Sequence, residues 1–201
     1  MMRIDKVTYQ TSEVNRYKTK TAKTQIVIGL SLRKDHFHLT RLQHKEYGKT
    51  KKWNTYTIGR GGEVYQHYDD KFHSDFIGVK NGDKQSISIV LENMGCLFQT
   101  TTGKYINWLN EFCEDDNVLE REWAGYQYWE KFSEVQFESM VELCKKLCKK
   151  HNIPKVCVEF NTYHKDIAKF RGIVFKSNYI EDSSDLNPLI DIPKFNEMLK
   201  Q

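Results

Sequence analysis

Three apolar runs outline the skeleton of the chain. "QIVIGL" (25–30), "SISIVLEN" (86–93) and "KVCVEF" (155–160) are short and nearly continuous, which predicts buried central strands. Between the first two, "NTYTIGRGGEVYQHYDD" (54–70) places strand formers on either side of Gly61-Gly62. It predicts a hairpin with arms over 54–58 and 64–68. The segment "SEVQFESMVELCKKLCKKH" (133–151) follows a different period: Phe137, Met140, Val141, Cys144, Leu147 and Cys148 fall on one helical stripe. Ser133 and Gln136 have the spacing of a capping box, glutamates lead and lysines close, and Asn152-Ile153-Pro154 stops the helix. A second helix is predicted over 34–47, with Phe37, His38, Leu39 and Leu42 distributed around it. The tail turns at Pro188 and Pro193 into a short helix, and residues 1–24 read as a polar, strand-containing arm.

Strand, helix, hairpin, strand, loop, helix, strand is an α/β order, so the expected architecture is a central mixed sheet flanked by helices. One domain is expected over 25–201, with an insertion at about 99–131. That insertion mixes turn residues with Trp108, Trp123 and Trp129, and is expected to fold against the domain as an ordered, partly helical segment. A satellite hydrophobic cluster is the favoured reading of its aromatics, a ligand platform the alternative.

Composition narrows the class. Aromatic residues make up 13% of the chain, too many for disorder. No apolar run approaches the length of a membrane span, and the first residues lack a signal-peptide core. The expected location is therefore the cytoplasm of the producing cell, or a phage particle. The net charge of +4 is mild, and the lysines clustered over 18–23 and 45–52 read as a solvated face, so nucleic acid is not the expected partner. The five cysteines include no CxxC pair and read as buried, reduced thiols, although Cys144 and Cys148 stand four apart on a helix and could share a metal. Dinucleotide, P-loop and GxSxG motifs are absent.

The hairpin "NTYTIGRGGEVYQHYDDKFHSDFIG" followed by "QSISIVLEN" resembles the zinc-dependent N-acetylmuramoyl-L-alanine amidases and the peptidoglycan recognition proteins. Ile58, Arg60, Gly62, Val64, Tyr65 and Gln66 match that family's hairpin. Ser86, Ile87 and Ile89 match its next strand, and Gln136, Ile153 and Pro154 match the helix and its exit. The resemblance implies hydrolysis of the amide between a muramic lactyl group and L-alanine, by a zinc ion with three protein ligands and an activated water.

Carried over position by position, the ligands are missing. Gly29 stands where the first histidine belongs, Phe160 where the second belongs, and Asn187 where the closing loop supplies the third. Val90 takes the position of the family's strand glutamate, with Glu92 on the same face as the possible catalytic substitute. His164, with Asp185, is the fallback ligand set, which would bring zinc back as cofactor; His36 and His38 lie too far from Gly29.

The expectation is a zinc-less pseudoenzyme whose cleft floor is filled by Phe160. It would bind peptidoglycan or a muropeptide through a rim of Asn54, Tyr56, Arg60, His67, Tyr68 and His73. The alternatives are an active amidase with displaced ligands, or a structural component that meets other virion proteins through the same fold.

Overall fold

A computed structural model describes residues 2–34, 39, 50–181, 188 and 190–201. Its main sheet has six strands: β1 (Ile4–Asp5), β2 (Gln25–Leu30), β3 (Tyr56–Ile58), β4 (Val64–Gln66), β5 (Ser86–Leu91) and, far along the chain, β11 (Gly172–Phe175). Their order is β1-β4-β3-β5-β2-β11. Only β3 and β4 pair antiparallel; the other neighbours are parallel, so the sheet is mixed as the sequence predicts. The arm belongs to it, because β1 adds an edge strand to β4.

β2 and β5 are buried along their whole length, which is why they read as unbroken apolar runs rather than alternating ones. Against the sheet packs the helix α2 (Glu134–His151), preceded by the short helix α1 (Lys80–Gln85), which the sequence reading missed. The Ser133 hydroxyl caps α2 by accepting from Gln136 N at 3.1 Å, and Asn152 ends it in the left-handed conformation. Gln136 does not complete the capping box. Its buried amide donates instead to the carbonyls of Ile58 and Glu92, tying the helix start to the ends of β3 and β5. The tail helix α3 (Ile192–Lys200), capped by Asp191, buries Phe195 and Leu199 and meets α2 through Phe195 and Phe137. All five cysteines are buried. The helix expected over 34–47 lies, apart from Lys34 and Leu39, outside the described residues; Leu39 is buried with Trp53 and Tyr68.

Two expectations need correction. Residues 155–160 do not form a regular strand. They touch β11 through a single parallel bridge, Cys157 to Ile173, and the Asn196 side chain occupies the peptide of Cys157 from the other side. The strand beside β2 is β11, "GIVF", a run short enough to escape notice. Gly172 permits the close approach of the two segments. Its φ is +145°, and a Cβ there would stand 2.4 Å from the carbonyl oxygen of Val156. Gly172→Ala should therefore lose about 1–3 kcal/mol from backbone strain alone, read as a lower urea midpoint at unchanged slope.

The second correction concerns the insertion, which is β rather than partly helical. β6 (Cys96–Gln99), β7 (Tyr105–Ile106), β8 (Phe112–Cys113), β9 (Val118–Trp123) and β10 (Tyr126–Glu130) form an antiparallel sheet ordered β8-β7-β6-β10-β9. Ala124 and Gly125, both at positive φ, make the two-residue turn between β9 and β10. The period-two pattern of "VLEREW" and "YQYWE" carries this signal.

Candidate functional site

Strand register defines the region in which the resemblance places catalytic chemistry. Gly29 pairs with Val90, Val90 with Thr57, and Thr57 with Tyr65. On the other side Phe175 pairs with Ile28, so the next residue, Lys176, comes beside Gly29. A Cβ built on Gly29 would lie 3.5 Å from Lys176 Cβ and 3.2 Å from Phe76 Cζ. The row across the sheet is thus Lys176, Gly29, Val90, Thr57 and Tyr65, with the Lys176 ammonium 5.2 Å from the Phe76 ring centroid.

This geometry reassigns one position. Lys176, not Phe160, is the neighbour of Gly29, and the ring that crowds Gly29 is Phe76. Phe160 is 39% exposed, its ring leans on His164, and its carbonyl accepts from Asn178. The reassignment follows from β11 taking the sheet position expected of 155–160. Because Phe76 stands within tight contact distance, Gly29→His must push it aside and should cost about 1–3 kcal/mol. Phe76→Ala in the same chain should recover part of that loss, measured by urea denaturation of both variants.

The residues expected on a binding rim are mostly interior. Asn54, Tyr56, His67, Tyr68 and His73 are all buried. Asn54 donates to the Thr57 hydroxyl at 2.8 Å; that hydroxyl lies 2.8 Å from His67 Nε2, and His67 Nδ1 donates to the Tyr9 carbonyl. The chain of bonds fixes the imidazole tautomer and leaves it no lone pair for a ligand. The Tyr68 hydroxyl sits among Trp53 O, Ser74 and Thr55, while the Tyr56 hydroxyl donates to Asp70 at 2.8 Å. Thr57, His67, Thr55, Tyr68 and Ser88 make a polar layer on one face of the sheet, whereas Tyr56, one residue from Thr57 on β3, points to the opposite face, into the core under α2. Arg60 is a strut: it grips Glu130 of β10 through two 2.9 Å bonds and so fastens the second sheet to the hairpin. His73 stacks on Tyr17 and lines a separate cleft of about 590 Å³ with Asp75 and Asp83. Burial pushes the Asp83 carboxyl up to about 6, although it accepts from Ile77 N and Gly78 N.

Glu92 follows β5 and is buried, its carboxylate 3.5 Å from where a Cβ on Gly59 would stand, so it lies by the hairpin and not by Gly29. His164 is on an exposed turn and accepts from Asp166 N through Nδ1. Asp185 and Asn187 lie outside the described residues. Among the described residues no three His, Cys, Asp or Glu side chains converge on a point that could hold a metal ion. The described part of the site therefore does not fit tetrahedral zinc, which needs several such donors at about 2.0–2.3 Å.

A groove of about 700 Å³ opens between β9, residues 159–161, Pro188, Ile190 and Asp191, and the first residues of α3. Trp123, Phe132 and Phe160 line it together with Arg121, Lys131 and Glu159. Asn178 braces its 160–162 wall through the carbonyls of Phe160 and Thr162, two residues beyond Lys176.

A sequence profile of N-acetylmuramoyl-L-alanine amidases matches residues 20–173, most of the chain. The chain belongs to the N-acetylmuramoyl-L-alanine amidase family. The match ends inside β11, before Lys176. No curated protein matches in a sequence search. Among solved structures, the chain is similar to the amidase LysC of Clostridium intestinale URNW, at 11% identity and TM-score 0.58, over 100% of this chain and 99% of that one. A mutant endolysin from Bacillus subtilis gives 14% identity and TM-score 0.58, over 99% of both chains. The catalytic domain of XlyA gives 16% and 0.58, over 98% of this chain and 99% of that one. At these identities the likeness shows the amidase fold.

Proposed function

We propose that this amidase-family chain recognises peptidoglycan without the family's zinc hydrolysis. The observation that carries the reading is the row Lys176, Gly29 and Val90, with Phe76 pressed against Gly29. Zinc hydrolysis needs nitrogen, sulfur or carboxylate donors around one open coordination position. Here the two strand ends that meet at this point offer a glycine and an ammonium group. A lysine ammonium has no lone pair to offer a metal ion. Phe76 takes up space beside Gly29, where a metal ion and its bound water would need room. Family membership supports a peptidoglycan ligand, and the groove of about 700 Å³ along β9 is an open surface that could receive it.

The test is incubation of purified sacculi with the protein, once with added zinc and once with a chelator, scoring newly freed alanine amino groups. Release should equal the buffer control in both arms. Chelator-sensitive release above that control would contradict the proposal.

A further inference from the structure

The second sheet has two unlike faces. Paired residues on neighbouring strands share a side, and so do alternate residues along one strand. One face carries Leu97, Tyr105, Cys113, Val118 and Tyr128, which with Met94 form a small buried core. The opposite face carries the row Phe98, Ile106 and Phe112 across β6, β7 and β8, and Leu119, Arg121 and Trp123 along β9. Phe98 is 44% exposed and Phe112 57%. The first face thus holds a satellite hydrophobic cluster.

The exposed rings are held in place. Trp129 is fully buried and donates its indole N–H to the Arg121 carbonyl at 2.8 Å. Trp123 and Tyr126 lean on it at centroid distances of 5.5 and 5.8 Å, and Phe98 meets Tyr126 edge to face. At the far side Trp108, also 57% exposed, is tied to the Leu32 carbonyl and lies under the Arg33 guanidinium. The face opens at β9 into the groove of Arg121, Trp123 and Phe160.

We infer that this aromatic face and the groove at its edge bind the glycan strand of the peptidoglycan. The inference rests on the reading above and names the part of the ligand. Sugar rings present flat C–H faces and polar edges, the same division that aromatic side chains with a polar rim present in return. Five strands span about 19 Å at roughly 4.8 Å each, a step close to the length of one pyranose unit. The face sets separated rings between Arg33 at one end and Arg121 and Lys131 at the other. Those cations suit the carboxylates that hang from a muramic backbone.

The experiment is co-sedimentation with sacculi, together with tryptophan fluorescence titrated with a short β-1,4-linked N-acetylglucosamine oligomer. Wild-type protein should bind both. Phe98→Ser/Phe112→Ser and Trp123→Ala should each weaken both by at least about tenfold, with unchanged circular dichroism. Phe112→Ser alone, at a side chain 57% exposed, keeps the test available should the others fail to fold. Sacculus binding that survives in these variants overturns the inference and leaves the peptidoglycan reading standing. So does wild-type binding to sacculi and not to the oligomer, or a wild-type dimer that the double variant splits. Failure of wild-type protein to bind sacculi overturns the underlying reading as well.

Discussion

Replacing Asp70 with alanine should remove about 3 kcal/mol of stability, the lower end of the cost of breaking a buried ion pair. Asp70 is fully buried between the hairpin and the end of α2. It accepts from the Tyr56 hydroxyl at 2.8 Å and from the Lys150 ammonium at 2.8 Å on each oxygen, and His151 Nε2 lies 3.1 Å away. The low end is chosen because the Lys150 side chain is 48% exposed, so water screens part of its charge. Asp70→Asn, which can still accept from Tyr56, should lose less. Burial opposes ionisation of Asp70, yet the bonds from Lys150 and Tyr56 prevail and hold its carboxyl below the ordinary range. His151 is lowered too, by burial first. Both shifts give stability that is present at high pH and lost in acid. For His151 the loss begins as pH falls below its unfolded value of about 6.5, for Asp70 below about 3.9. Urea titrations from neutral pH to about pH 3 should show the wild type weakening steadily, and Asp70→Ala weakening less below pH 4.

Met140→Ala and Leu147→Ala should each cost about 2–5 kcal/mol. Both side chains are buried on the α2 stripe against the sheet, where the close-packed core cannot collapse around a missing methylene group. Phe137, at the helix start and only partly buried against Phe195, should cost less when truncated, which separates core filling from general damage to the helix. Thermal melts of the three variants decide the order.

The main elements were legible because their local and tertiary signals agree. β2 and β5 are buried on both sides and read as apolar runs, and α2 has stripe, N-cap and stop in one sequence. β11 was not legible. Its four residues carry no more signal than the preceding "KVCVEF", and only the bare Cα of Gly172 shows that the two segments must touch. With β11 in that sheet position, Lys176, twelve residues beyond His164, is the neighbour of Gly29. The misreading of the rim has another cause. Asn54, Tyr56, His67 and Tyr68 are residue types usually found at surfaces, and nothing in a sequence distinguishes a polar group facing a ligand from one satisfied inside by Thr57, Tyr9 or Asp70.

The most direct measurement is the zinc content of the purified protein after equilibration with excess zinc and exhaustive dialysis, read by mass spectrometry. The Lys176–Gly29–Val90 row predicts far less than one zinc per chain, and no gain for Lys176→Ala, because removing the charge supplies no donor. One tightly held zinc per chain in the wild type would contradict the account.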